Sequence, residues 1–356
     1  MVDLHDIAGV ERLRRELRLD TIHVKRLRRA FFKHGMNRDA SLAVVPDAVR
    51  VRISDEVRFH HLELADCRDS KIDGASKLVF DTADNLQIET VILRVQSGRT
   101  ALCVSSQVGC AADCSFCATG KLGLRRNLSS GEILDQIVQA NARLAGEGRR
   151  ARNIVFMGMG EPFHNESALY ETLAALAHPE CFHHSLGQVS VSTVGIPDAM
   201  VRCAEQFPRV RIALSLHSAR AATRQRIIPL ARRYSLTELR DAVIAVTHVQ
   251  QQPVMLEHLL LADVNDGDGD LEALAEWADG LDVHINLIPY NPIADAPGLK
   301  RTHKPRREAF ANALKARGFP VTLRYSLGAD VTAACGQLVR DENRRLTPRR
   351  PRGAHA

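Results

Sequence analysis

No stretch of about 18 uncharged apolar residues occurs in this 356-residue chain, so no transmembrane helix is predicted. The first residues, MVDLHDIAGVERLRRELRLD, are charged throughout and hold no apolar core. They do not read as a secretory leader, and the cytosol is the expected location. Aromatics are few, 11 Phe, 4 Tyr and 1 Trp, which argues against a broad base-stacking platform. No segment repeats. The hydrophobic share of 45% and charged share of 25% lie near the globular average, which excludes collagen-like and disordered classes. The 8 cysteines lack the paired C-x2-C…C-x2-C spacing of structural zinc modules. In a cytosolic chain they are not expected to form a disulfide framework, which leaves metal binding, catalysis or plain burial.

Positive charge is in excess, with 48 Lys+Arg against 42 Asp+Glu and a net charge of +6. It clusters in VKRLRRAFFKH (Val24 to His34), Arg125-Arg126, Arg149 to Arg152, Lys304-Pro305-Arg306-Arg307 and the tail from Arg340 to Arg352. Each cluster alone reads as a solvated face. Together they favour a polyanionic partner, with nucleic acid first among cytosolic candidates.

The pattern along the chain changes twice. Apolar residues at helical spacing among arginines predict helices over Val10 to Leu17 and Thr21 to Phe32. VRVRI, VRFHHLEL, KLVFDT and IETVILRV then read as short strands of a small sheet. After Cys117 strands alternate with helices. TALCVSS, NIVFMG, VSVST, VRIALSL, PVMLEHLLL, VHINLIPY and PVTLRY are separated by helical segments, the first opening on a capping box at Ser129 or Ser130 with Glu132. About six β-α units imply a parallel sheet or open barrel, with chemistry at the C-terminal strand ends. A last helix is expected from about Val331, and the Arg- and Pro-rich 342–356 reads as a disordered tail. The division expected is an accessory region over 1–87 and a barrel over 88–341.

The strongest motif is Cys110-Ala-Ala-Asp-Cys114-Ser-Phe-Cys117, a C-x3-C-x2-C loop between a strand and a helix. Three thiolates on one loop suit an iron–sulfur cluster, whose soft iron favours sulfur ligands. Three ligands instead of four leave one iron open to substrate, whereas structural zinc would want a fourth ligand. Met157-Gly158-Met159-Gly160-Glu161-Pro162 closes an apolar strand. Read alone it is a tight turn whose carboxylate could pair with an ammonium, and Phe163 breaks the dinucleotide fingerprint. DVNDGDGD fails as a calcium loop, because Asp268 and Leu274 stand where Gly and Glu are needed.

In these residues the chain resembles the radical S-adenosylmethionine (SAM) enzymes, and more narrowly the RlmN/Cfr family of radical-SAM RNA adenine methyltransferases. VSSQVGCAADCSFCATGKLGLRRNLSSGEI, NIVFMGMGEPFHN, VSTVGIP, LSLHS, NLIPYNP and AACGQL follow in family order, from about Ile88 to Val339. The resemblance implies an α/β fold, a partial (β/α)6 radical-SAM barrel with a small N-terminal α+β accessory region in contact with RNA. It implies one [4Fe-4S] cluster on Cys110, Cys114 and Cys117, and SAM bound by Gly160, Glu161, Ser192, Ser215, Leu216, His217 and Asn291. Cys335 would carry the methyl group, Cys103 would resolve the intermediate through a transient disulfide with Cys335, and Glu89 would accept a proton. Two SAM molecules serve each turnover: one methylates Cys335, and reductive cleavage of the second activates that methyl for addition to the base. The implied substrate is an adenine ring carbon, C2 in preference to C8, in 23S ribosomal RNA and transfer RNA. An electron donor such as flavodoxin is implied, with a monomeric enzyme. The family's Pro-x-Asn reads Pro229-Leu230-Ala231 here, so an expected Asn is missing. The alternatives are another radical-SAM RNA-modifying enzyme or a basic RNA-binding protein with a structural metal. Cys67, Cys181 and Cys203 match no motif and read as structural.

Overall fold

The computed structural model describes residues 1–95 and 98–338. The tail read as disordered over 342–356 lies outside the described residues. One ten-stranded sheet organises the fold: β1 (Leu62–Asp69), β2 (Ala75–Thr82), β3 (Gln87–Arg94), β4 (Thr100–Cys103), β5 (Asn153–Phe156), β6 (Val189–Thr193), β7 (Arg211–Ser215), β8 (Val254–Leu260), β9 (Val283–Pro289) and β10 (Val321–Leu323). Each strand lies beside its neighbours in sequence. From β4 to β10 every pairing is parallel, with helices in the connections. The radical-SAM α/β architecture implied by the sequence motifs is therefore the observed one. The helix Ser130–Ala145 opens with Ser129 and Glu132 satisfying each other's backbone N–H groups, as the capping box predicts.

The N-terminal strands are not a separate sheet. β1, β2 and β3 form an antiparallel meander that continues the barrel sheet, with β3 paired to β4 through Val91 and Cys103. Two local expectations are corrected. VRVRI lies in the helix Asp47–Glu56, not in a strand. Of these residues Val51 and Arg52 are exposed, Val49 and Arg50 half-buried and only Ile53 buried, so period-2 alternation there reflects no sheet face. No helix follows Val331 among the described residues. The chain turns through Gly328 and Gly336, both at positive φ, and stays irregular to Leu338.

Much of the clustered positive charge is spent internally. Arg28 is buried and bonds the Leu4 and Asp6 carbonyls and Glu180. Arg126 forks between Asp84 and Glu132, and Arg306 pairs with Asp268. The pairing of Val2–Asp3 with Val57–Arg58 brings Asp3, His5 and His61 within 4.8 Å of one another. Among the described residues no helix is long and apolar enough to cross a membrane.

Candidate active site

The seven parallel strands expose a row pattern on their inner face. Cys103, Val155, Ser190 and Arg211 stand in register, as do Ser215, Glu257, Asn286 and Thr322. Above the C-terminal strand ends lies a cavity of about 930 Å³. Cys110, Cys114 and Cys117 line one wall, Gly160 and Glu161 another, and Cys335 a third. Ser192, Ser215 and His217 complete the polar lining.

The cysteine loop is held from behind. Ser115 N–H donates to the Ile227 carbonyl at 2.9 Å, and Ala231 packs with Cys110 and Cys114 in an apolar cluster where the family's Asn would stand. Burial pushes the Cys110 thiol up to about 12 and raises Cys114 well above its ordinary value. Buried thiols become thiolates only beside a cation, which a metal centre supplies. Among the described residues only Asp3, His5 and His61 bring three potential ligand atoms within 4.8 Å of one another. Three thiols lining one wall of the cavity suit an iron–sulfur cluster, whose irons favour sulfur ligands.

Gly160 has φ +107°, and a Cβ there would meet Gln107 at 2.6 Å, so only glycine fits the turn. Glu161 is 2% exposed, and its carboxylate accepts from Phe163 N–H (3.0 Å) and Val194 N–H (2.8 Å). Burial raises its pKa to about 7 despite those bonds. A carboxylate so placed, with no cation partner among the described residues, suits an ammonium such as that of SAM. His217, at φ 56°, accepts a hydrogen bond from Leu259 N–H on Nδ1, and burial lowers its pKa to about 3, so it is neutral. Phe116 meets its ring edge-on, centroids 4.9 Å apart. Ser192 and Ser215 hydroxyls lie 3.3 Å apart.

Cys335 is carried to this cavity by four ties. Gly336 carbonyl accepts from Ala118 N–H at 2.8 Å, and Leu338 carbonyl from the Thr119 hydroxyl at 2.6 Å. Asn291 donates to the Cys335 carbonyl at 3.1 Å, and Gln337 donates to the Pro292 carbonyl at 3.1 Å. The Cys335 surface faces the cavity, so it is accessible yet ringed by protein. Burial raises its thiol pKa and Arg324 opposes that rise. Cys103 lies below on β4, buried, and burial followed by the nearness of Cys335 pushes its thiol up. The two are unbonded, and all eight cysteines are free.

Four of the sequence-derived positions do not line the cavity: Cys103, Glu89, Leu216 and Asn291. Asn291 uses its amide on Cys335 and accepts from Arg301 at 2.8 Å. Leu216 is core, its carbonyl held by Arg224. Glu89 is fully buried against Lys77 at 3.1 Å, and Lys77 also donates to the Thr332 hydroxyl at 2.8 Å, near Cys335. Cys67 is half-buried on β1, and Cys181 and Cys203 are core residues.

Sequence reasoning missed Arg224, Glu257 and Arg324. Arg224 is buried and bonds the carbonyls of Val194, Ser215 and Leu216, tying the ends of β6 and β7. Glu257 lies on the cavity floor, with Asn286 donating to both oxygens and Arg324 at 3.9 Å. A glutamate inside the apolar strand PVMLEHLLL was a readable signal, since an interior strand carries such a group only with partners.

The Radical SAM superfamily model matches residues 104–278. A probable RNA methyltransferase of Rhodopirellula baltica is 49% identical over 343 residues, 96% of this chain and 89% of that protein. A probable dual-specificity RNA methyltransferase RlmN of Thermus thermophilus is 39% identical over 89% of this chain and 88% of its own length. The crystal structure of a radical SAM methyltransferase from Sphaerobacter thermophilus superposes with a TM-score of 0.91 at 36% identity, covering 95% of this chain and 99% of that one. Its cavity, its cysteine loop and this likeness over nearly the whole length agree: the chain belongs to the RlmN-type family of SAM-dependent radical RNA methyltransferases.

Proposed function

We propose that this enzyme methylates an adenine ring carbon in RNA, C2 in preference to C8, through an S-methyl group carried on Cys335. The observation that supports it best is the convergence of Cys335, from the far end of the chain, on the cavity walled by Cys110, Cys114 and Cys117. A plain SN2 transfer cannot reach such a carbon, which has no acidic proton to lose, so a carrier thiol and one-electron chemistry have a reason to share one cavity.

Cys110, Cys114 and Cys117 would hold a [4Fe-4S] cluster, and Gly160, Glu161, Ser192, Ser215 and His217 would hold SAM beside it, two molecules serving each turnover. Asn291 and Leu216 act through backbone neighbours and not by lining the cavity. When bound, the cluster and SAM supply the one-electron chemistry that makes the Cys335 methyl group reactive toward the base. Glu89, paired with Lys77 at 3.1 Å, accepts the ring proton once carbon joins carbon. Cys103 then attacks the Cys335 sulfur as a thiolate. The S–S bond forms, the S–C bond breaks, and its electron pair stays with the methylene, which takes a proton and becomes the methyl. An external thiol returns the disulfide to two thiols. The Thermus relative is named a dual-specificity RNA methyltransferase, which supports an RNA substrate; ribosomal and transfer RNA as the substrates, a flavodoxin-like donor, a monomeric enzyme and a cytoplasmic location are what the family resemblance implies.

The test uses SAM with a deuterated methyl. Label is expected on Cys335 before it appears in RNA, and Cys335→Ala is expected to keep its iron yet make no methylated base. Methylated adenine from that variant would show that the methyl travels by another route.

A further inference from the structure

We propose that RNA reaches the reactive thiols through the N-terminal mouth of the barrel, where Arg99, Arg152 and Arg211 clamp its sugar–phosphate backbone. The proposal rests on the RNA-methyltransferase reading and adds where the RNA docks.

A second cavity of about 880 Å³ opens at the other end of the parallel strands, lined by Asn153, Val155, Ser190 and Met255 among others. Met157 and Arg324 line both this cavity and the C-terminal one, so a single layer of side chains divides them. Cys103 shares a register row with Val155, Ser190 and Arg211, which puts its sulfur on the same inner face. The barrel is thus hollow at both ends, with Arg324 between them, 3.9 Å from Glu257.

The mouth of the lower cavity is uniformly positive. Arg99 precedes β4, Arg152 precedes β5 and Arg211 opens β7. All three are exposed. None makes a side-chain hydrogen bond or ion pair among the described residues, unlike Arg126, Arg28 or Arg306. No Asp or Glu is among the residues lining the cavity. Three guanidinium groups with no counter-charge at one mouth repel one another, and a chain of phosphates relieves that repulsion while matching the planar donor fork. Further in, Asn153, Gln188 and Ser190 offer uncharged donors and acceptors for a base edge. The volume lies within the roughly 300–1,000 Å³ of ligand pockets, enough for a nucleotide swung out of its stack. Cofactors at the C-terminal end and RNA at the N-terminal end then meet at the level of Cys335 and Cys103, with neither blocking the other.

The experiment measures binding of unmodified ribosomal RNA transcript at several salt concentrations, for the holoenzyme and for Arg99→Gln, Arg152→Gln, Arg211→Gln and the triple variant. Each single variant is expected to lower the slope of log K against log salt by about 0.7–0.9, and the triple variant by about 2–3. KM for RNA should rise roughly three- to tenfold per variant with kcat nearly unchanged. Iron content and SAM cleavage without RNA should stay at the holoenzyme level, which separates lost docking from misfolding. Lys315→Gln, exposed on the outer helix Lys304–Ala316, should leave the slope unchanged. Unaltered slopes in the arginine variants overturn the proposal, as does an equal loss in Lys315→Gln or slower cluster reduction by the electron donor with intact RNA binding. Because binding is read apart from turnover, a chain that loses slope but methylates no adenine would sink the functional reading and leave the clamp standing.

Discussion

Gly336 adjoins the proposed methyl carrier, and replacing it by alanine tests whether that short segment needs its position as well as its sulfur. Its φ is +81°, where a side chain is disfavoured by about 1 kcal/mol. A Cβ there would lie 3.3 Å from the Phe116 carbonyl oxygen, so the segment must give by a few tenths of an ångström. It cannot give freely, because Gly336 carbonyl is tied to Ala118 N–H and Cys335 carbonyl to Asn291. Strain and contact together cost about 1–2 kcal/mol. For 356 residues at about 2.1 cal/mol/K each, the unfolding entropy is about 0.7 kcal/mol/K, so Tm should fall by only about 2 °C. Catalysis should suffer more, because misplacing a reacting group by a fraction of an ångström to 1 Å costs up to about 100-fold. The assay compares methylated adenine formed per minute with SAM cleaved in the absence of RNA. Product formation should fall about 10- to 100-fold while uncoupled cleavage and iron content stay near wild type. Full product formation at unchanged Tm would refute the claim that the Gly336 turn positions Cys335.

Cys114→Ala should lose cluster iron and all SAM cleavage while circular dichroism stays native, because a ligand itself is gone; normal iron by anaerobic analysis would remove the cluster assignment. Cys103→Ala should stall with RNA attached to protein, visible as a nuclease-sensitive band on denaturing gels that the Cys103→Ala/Cys335→Ala pair lacks. Arg224→Met should strip three carbonyls, one buried and two half-buried, of their donor, destabilising the chain by about 3 kcal/mol in urea unfolding and weakening SAM binding; a loss under 1 kcal/mol would show those carbonyls find other partners. Glu161 should make the cofactor-free protein pH-sensitive. Its pKa is raised on folding from 4.5 to about 7, so the folded chain binds the extra proton, and that stability is full below pH 4.5 and lost as pH rises through about 7. Glu161→Gln should flatten that slope, and an unchanged urea midpoint profile from pH 4.5 to 7.5 in both proteins would contradict the buried titration.

The functional residues that local chemistry marks were legible in the sequence. A loop with three cysteines, a Gly-Glu turn closing an apolar strand, and strands alternating with capped helices each carry their signal within a few residues. So the seven parallel strands and the helix Ser130–Ala145 stand as read, and Cys110, Cys114, Cys117, Gly160 and Glu161 are found lining one cavity. Where local pattern misled, the neighbours decided. VRVRI alternates, yet no sheet edge is offered to it, and it coils into the helix Asp47–Glu56.

What the sequence alone determined is the set of groups and the order in which strands present them; what only the tertiary structure decided is which distant groups share one space and which charges are already spent. Clusters such as Arg125-Arg126 look like a nucleic-acid face in the sequence, but Arg126 is consumed by Asp84 and Glu132, carboxylates that only folding brings to it. Arg99 and Arg211 stand unremarked in the sequence and Arg152 closes the cluster Arg149 to Arg152, yet parallel strands that start at one level gather the three at a single mouth. The same closure of the sheet turns Arg324 from an isolated charge into part of the partition between two cavities, 3.9 Å from Glu257. Charge pairing and burial depend on distance in space, falling off within a few ångströms, and that distance is set by the curvature of the sheet and not by separation along the chain.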